Sequence, residues 1–174
     1  MGYTYNVLNH TFTNLSGWNT QVYYGGVVDT TSGYMNMYGP AGDYNTFSEV
    51  TRNIGTFGGS STYTIEVYAK FDGLEPFNPF AGDQCFIAYY PTPSTGFRVY
   101  FASDGLFLFN QNTGSHYEVG TNIVPIGSWN TWRFDVIDNT TYCRVYKNNS
   151  RIDSGIVLYC RTNNYGGWSP GTLQ

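Results

Sequence analysis

From Tyr63 to Tyr159 short runs of alternating apolar and polar residues follow one another, separated by glycine, proline, asparagine and aspartate. Thr62 to Phe71, Phe97 to Ser103, Trp129 to Asp138 and Tyr142 to Lys147 all have a period of two, the spacing of a strand with one face buried and the other in water. A helix needs its apolar residues three and four apart, and no such stripe interrupts the cadence. The expectation is an all-β chain, a two-sheet antiparallel β-sandwich forming a single domain over residues 1–174.

The turn chemistry agrees with the periodicity. All seven prolines fall between the expected strands, where a residue without a backbone N–H does no harm to a ladder. Asp104-Gly105 separates two strand-like runs and predicts a hairpin with a type I′ turn, which needs positive φ at both central residues. Further expectations are a first strand in Tyr5 to Trp18 broken at Ser16-Gly17, a hairpin of Val22 to Val28 with Gly33 to Tyr38, and a strand over Thr46 to Ile54. Asp72 to Asp83 carries Pro76 and Pro79 and predicts a long loop of the kind that carries binding or assembly contacts.

Composition narrows the function. Only 11% of residues are charged, against about 25% in an average soluble domain, so solubility rests on Asn, Thr, Ser, Gly and tyrosine hydroxyls. Such a surface suits a protein working outside the cytoplasm or on a virion. The net charge of -4 and a pI near 4.9 exclude a nucleic-acid partner, whose phosphates call for a basic patch. No apolar run is long enough for a membrane span, so no membrane insertion is expected. The Met1 start has neither the basic nor the apolar region of a signal peptide, which implies a leader removed earlier or export by assembly into a virion. Cys85, Cys143 and Cys160 form no C-x-x-C pair, so they are three buried thiols or include one bridge between Cys143 and Cys160.

Trp129-Asn130-Thr131-Trp132-Arg133-Phe134-Asp135-Val136 followed by Cys143-Arg144-Val145-Tyr146-Lys147-Asn148 resembles a recurring signature of concanavalin A-like and laminin G-like jelly rolls. Phe12 to Trp18 is similar to the F-x-x-x-x-G-W opening of many carbohydrate-binding modules of that type. The resemblance implies two curved antiparallel sheets with ligand on a concave face or its loop rim. It also admits a calcium ion between sheet edges, but no D-x-D-x-D-G loop is present and no ligands are assigned.

Strand parity says which side chains are offered to such a ligand. In Tyr63 to Phe71 the odd positions point to the core, leaving Glu66, Tyr68 and Lys70 outside. The same alternation puts Arg98 and Tyr100, Arg133 and Asp135, and Arg144 and Tyr146 outside, with Val99, Trp132, Phe134, Val136 and Val145 inside. The candidate glycan-binding residues are Glu66, Tyr68, Arg98, Tyr100, Arg133, Asp135 and Tyr146, because sugar C–H faces stack on rings and sugar hydroxyls bond to Arg and carboxylates. Cross-strand pairing alone accounts for the same residue types on a solvent face.

Enzyme activity is the weaker expectation. Glu66 and Asp135 are the one carboxylate pair that strand parity brings together, and neither the alternating acids of a family-16 glucanase, nor an alginate-lyase strand, nor a G-x-S-x-G nucleophile motif is present. The expected protein is a non-catalytic, lectin-like module for a polysaccharide or cell-surface glycan, extracellular or on a virion surface, working through self-assembly or a multimodular parent. A structural subunit, such as a capsid decoration or fibre, is the alternative. Four N-x-S/T sequons, at Asn9, Asn14, Asn139 and Asn148, are candidate glycosylation sites.

Overall fold

The alternating runs pair into sheets. A computed structural model describes residues 13–23, 26–38, 47–55, 62–78, 85–92, 96–110, 115–137, 142–153, 158–159, 161–162 and 172–174. Its strands are β1 (Asn19–Tyr23), β2 (Val27–Asp29), β3 (Asn36–Tyr38), β4 (Phe47–Asn53), β5 (Tyr63–Ala69), β6 (Cys85–Tyr90), β7 (Gly96–Phe101) and β8 (Gly105–Asn110). They continue as β9 (Ser115–Thr121), β10 (Asn130–Ile137), β11 (Tyr142–Lys147), β12 (Ser150–Arg151), β13 (Leu158–Tyr159), β14 (Arg161–Thr162) and β15 (Thr172–Leu173). The described residues are all-β, and no helix among them is long and apolar enough to cross a membrane.

The larger sheet has the order β1-β4-β15-β6-β7-β8-β9, with β14 pairing the start of β7. The smaller has the order β12-β11-β10-β5, with β13 pairing β11, and β2 and β3 form a separate hairpin. All these pairings are antiparallel. The last strand, β15, lies inside the large sheet, between β4 and β6.

Between the two sheets lies one apolar core. Phe97, Val99, Phe101, Leu106, Leu108 and Val119 from the large sheet meet Trp132, Phe134, Val136, Cys143 and Val145 from the small one. The ring of Phe97 lies 5.5 Å from Phe134, and that of Phe101 lies edge-on to Trp132 at 5.3 Å. Tyr63, Ile65, Val67, Ala69 and Phe71 pack against this cluster, while Glu66 and Tyr68 are exposed, as the parity of β5 requires. The arrangement is sandwich-like; the other face of the small sheet is exposed at Glu66 and Tyr68, whereas that of the large sheet is buried at Ala88 and Tyr90.

Three local expectations need correction. The β7–β8 turn has Ser103 and Asp104 at its centre, closed by the Ala102–Gly105 backbone pair, and neither central residue has positive φ. Asp104 instead turns its Oδ1 to accept the N–H of Phe77 at 2.8 Å. The type I′ geometry belongs to Asn148-Asn149, at φ 49° and 65°, between the paired residues Lys147 and Ser150; asparagine tolerates the left-handed region better than other side chains. Secondly, Val22 lies in β1 of the large sheet, so the expected hairpin reduces to β2 with β3. Thirdly, the three thiols are not all buried: Cys143 is free and buried, as one of the two expectations for the cysteines requires, but Cys85 is free and exposed; Cys160 lies outside the described residues.

Candidate functional site

Two outward faces carry the chemistry, one on each sheet. On the small sheet, register sets polar side chains in rows across β5, β10 and β11. Glu66 stands opposite Arg133, which stands opposite Tyr146; Thr64 stands opposite Asp135, which stands opposite Arg144. The guanidinium of Arg133 sits 4.0 Å over the Tyr146 ring, and its Nε is 3.4 Å from Asp135 Oδ1. Thr64 Oγ1 donates to the same carboxylate oxygen at 3.0 Å. Asp135 thus neutralises Arg133, while Glu66 and Tyr68 point into water.

Beside this row lies an aromatic step. Tyr68 is 65% exposed, and one face of its ring is backed by Trp129 at 5.0 Å and only 20° off parallel. Tyr34 meets Trp129 edge-on at 5.2 Å. Tyr34 is delivered by the turn between β2 and β3, where Asp29 Oδ1 accepts from the N–H and Oγ1 of Thr31 and from Asn36 Nδ2. Those bonds, Asn36 foremost, hold the Asp29 carboxyl below its ordinary pKa. Backing by Trp129 orders the Tyr68 ring in advance, so that less freedom is lost when a ligand stacks on its open face.

Trp129 and Tyr34 escaped the sequence-based candidate set. Extending the parity of β10 back by one residue finds Trp129: Trp132, Phe134 and Val136 face inward, as Asn130 does, so Trp129 shares the side of Thr131 and Arg133. No signal of this kind exists for Tyr34, which sits in a turn.

The second face belongs to the large sheet. Phe86 and Ala88 of β6 lie opposite Tyr100 and Arg98 of β7; with Tyr90 they lie outside the inter-sheet cluster, yet Ala88 and Tyr90 are fully buried, so this face is partly covered. Arg98 Nε donates to Tyr90 Oη at 3.2 Å, Nη2 donates to the same oxygen, and Nη1 donates to Tyr100 Oη at 3.2 Å. Its guanidinium lies 4.6 Å over the Phe86 ring. Burial works against the Arg98 charge, but the two phenols, Tyr100 and Tyr90, more than offset it and leave the pKa above its ordinary value. Next to Tyr100, Phe77 stacks on Phe107 at 4.1 Å and touches His116 at 4.6 Å, and burial pushes the pKa of His116 down. The 72–78 segment is laid there by the Phe77 to Asp104 bond and by Ser103 N–H donating to Glu75 O.

The seven candidates therefore do not share one surface. Glu66, Tyr68, Arg133, Asp135 and Tyr146 lie together on the small sheet; Arg98 and Tyr100 lie on the opposite side of the molecule, on the large sheet. Among the sequons, Asn14 is exposed and its Oδ1 accepts the N–H of Ser16, while Asn9 and Asn139 lie outside the described residues. Asn148 uses its carboxamide structurally: Oδ1 accepts from Thr131 N–H and Nδ2 donates to Asn130 Oδ1, both at 2.9 Å. Among the described residues no three His, Cys, Asp or Glu side chains come together as a metal site, and no calcium ligands are assigned. Comparison with protein-family models, with curated proteins and with solved structures finds no match to this chain.

Proposed function

We propose that this chain is a non-catalytic glycan-recognition module with a concanavalin A-like jelly-roll fold, working extracellularly or on a virion surface. The observation that carries the reading is the Tyr68 ring, exposed on one face and braced by Trp129 on the other, beside Glu66 and Thr131 on neighbouring strand positions. A pyranose ring stacked on Tyr68 would place its hydroxyls within reach of Glu66, Thr131 and the Arg133–Tyr146 row. Two or three stacked contacts contribute about 0.5–1.5 kcal/mol each. Their sum, about 1–4.5 kcal/mol before the cost of association, corresponds at best to a dissociation constant of about millimolar. Physiological retention then requires several copies acting together, by self-assembly or in a multimodular parent.

A glycan array and affinity electrophoresis through polysaccharide gels test the proposal, with wild type beside Tyr68→Ala and Trp129→Ala and circular dichroism as the folding control. Retention by the wild type that both folded variants lose is the expected result. Retention that survives in Tyr68→Ala removes the platform from the mechanism. No retention at all, with ordered particles forming as concentration rises, transfers the assignment to a structural subunit, a role that the exposed Val27 and Met37 of the β2–β3 hairpin would also serve.

A further inference from the structure

Arg98 is a half-buried cation held by neutral groups. Among the described residues the ion pairs are Lys70–Asp72, Arg133–Asp135 and Arg151–Asp153, and none of their carboxylates lies within ion-pair distance of Arg98. A guanidinium has five N–H donors. Three of the five on Arg98 are spent on Tyr90 and Tyr100, which leaves one on each Nη.

Tyr90, fully buried, accepts from both Nε and Nη2 and so fixes the orientation of the fork. Tyr100, which is only partly buried, accepts from Nη1 and keeps its own O–H to donate. The free groups at this point are thus all donors around a positive charge, and the complement of a planar, partly desolvated donor fork is a carboxylate.

The surroundings narrow the ligand. Phe86 lies under the guanidinium, and Phe77, Phe107 and His116 continue an aromatic surface past Tyr100. Glu49, on β4, accepts from Gln174 Nε2; the backbone of Gln174 pairs with Ala88, which stands opposite Arg98, and the Arg98 charge pulls on the Glu49 carboxyl. A ligand with a carboxylate alone would meet repulsion from Glu49, whereas one that also carries hydroxyl donors would find an acceptor there.

We propose that Arg98 and Tyr100 form a receptor for the carboxylate of a uronic-acid sugar, on the face of the molecule opposite Tyr68. Tyr90 is the positioning residue, and the hydroxyls of the sugar turn toward Glu49. The sugar half of this assignment rests on the glycan-recognition reading; the carboxylate half does not.

The test is an NMR titration of the full chain with sodium glucuronate, sodium acetate and methyl glucoside at equal ionic strength, following the Arg98 Nε–H resonance. Glucuronate is expected to shift that resonance and to bind more tightly than acetate, with methyl glucoside leaving it in place. Arg98→Gln, with its fold checked by thermal melting, is expected to weaken glucuronate at least tenfold. Tyr100→Phe, which removes a single hydroxyl and keeps the packing, is expected to weaken it several-fold and serves if Arg98→Gln does not fold.

An unmoved Arg98 resonance, or equal affinity in folded Arg98→Gln, overturns the proposal. Neutral polysaccharide retained through Tyr68 without any glucuronate effect at Arg98 sinks this site and leaves the proposed function standing. Glucuronate bound through Arg98 in a chain whose gel retention ignores Tyr68→Ala does the reverse.

Discussion

Gly96→Ala should damage both the fold and the Arg98 site through one contact. A Cβ on Gly96 would lie 2.3 Å from Tyr90 Cδ1 and 2.7 Å from the Tyr89 carbonyl oxygen, where carbon contacts are comfortable at about 3.5–4.0 Å. The carbonyl belongs to the backbone of β6, and the Tyr90 ring has no solvent to swing into, being fully buried. Relief therefore requires β6 and β7 to move apart. Overpacking of this kind costs about 1–3 kcal/mol, and with backbone as one of the obstacles the upper end applies. At about 2–4 °C per kcal/mol for a chain of this size, the melting temperature should fall by about 6–12 °C. Gly73→Ala is the control, because a Cβ there meets nothing within 4 Å, and it should stay within about 0.5 kcal/mol of wild type. Thermal melts of the two variants side by side decide the matter. Since Tyr90 Oη takes two of the Arg98 donors, Gly96→Ala should also shift the Arg98 Nε–H resonance. Equal melting temperatures for the two variants would refute the close approach and, with it, the account of how Tyr90 is held.

Three further outcomes follow from the same geometry. Asp153 is buried and accepts from Val145 N–H at 2.8 Å and from Arg151 Nε at 2.7 Å; Asp153→Ala should cost about 2–4 kcal/mol in urea unfolding, mostly from the stranded N–H, with the partly exposed Arg151 adding little, and Asp153→Asn should cost clearly less. Asn148→Ala forfeits two carboxamide bonds and forces a Cβ residue to a φ of 49°, about 2 kcal/mol in all, whereas Asn148→Gly suits the turn and should cost only about half of that; equal losses in the two would remove the turn from the explanation. Burial raises the Glu49 pKa above 4.5, with Arg98 only partly offsetting it. The stability contributed by the protonated carboxyl is therefore present below that value and lost as pH rises through the folded pKa. Unfolding midpoints of wild type and Glu49→Gln should accordingly be close at about pH 4 and diverge by about pH 7 in favour of the variant; a constant gap would contradict the assigned direction.

How far the site was legible follows from what a period of two can encode. Alternation fixes inside and outside for each strand, and it did so correctly at Glu66, Tyr68, Arg98, Tyr100, Arg133, Asp135 and Tyr146, whose partners Val67, Val99, Phe134 and Val145 all turn to the core. It carries no label for the sheet that a strand joins. β5, β10 and β11 are neighbours through contacts up to about seventy residues apart, as between Thr64 and Asp135, and only those long-range pairings put Arg133 beside Glu66 and not beside Arg98. Turns were legible where glycine or proline forced them and misleading where a side chain intervened: Asp104 abandons the expected type I′ geometry while bonding to Phe77, and Asn148-Asn149 adopts it without any glycine.

The same ambiguity about sheets becomes informative once the faces are separated. If all seven residues formed one surface, Arg133 and Arg98 would be equivalent sugar-binding cations. In the folded chain Arg133 has Asp135 at 3.4 Å and a tyrosine ring beneath it, a neutralised arrangement suited to hydroxyl groups. Arg98 has phenols where Arg133 has a carboxylate, with Glu49 near it but not in ion-pair contact, and a partly desolvated positive charge without a directly bonded counter-ion gains from one that arrives with a ligand. If the proposed glycan reading holds, two faces so differently compensated would select different chemistry, neutral sugar rings on the Tyr68 side and an acidic residue on the Arg98 side. A glycan chain containing both kinds of unit would then cross-link copies of the module, because no single copy can lay one short stretch of chain on two opposite surfaces at once.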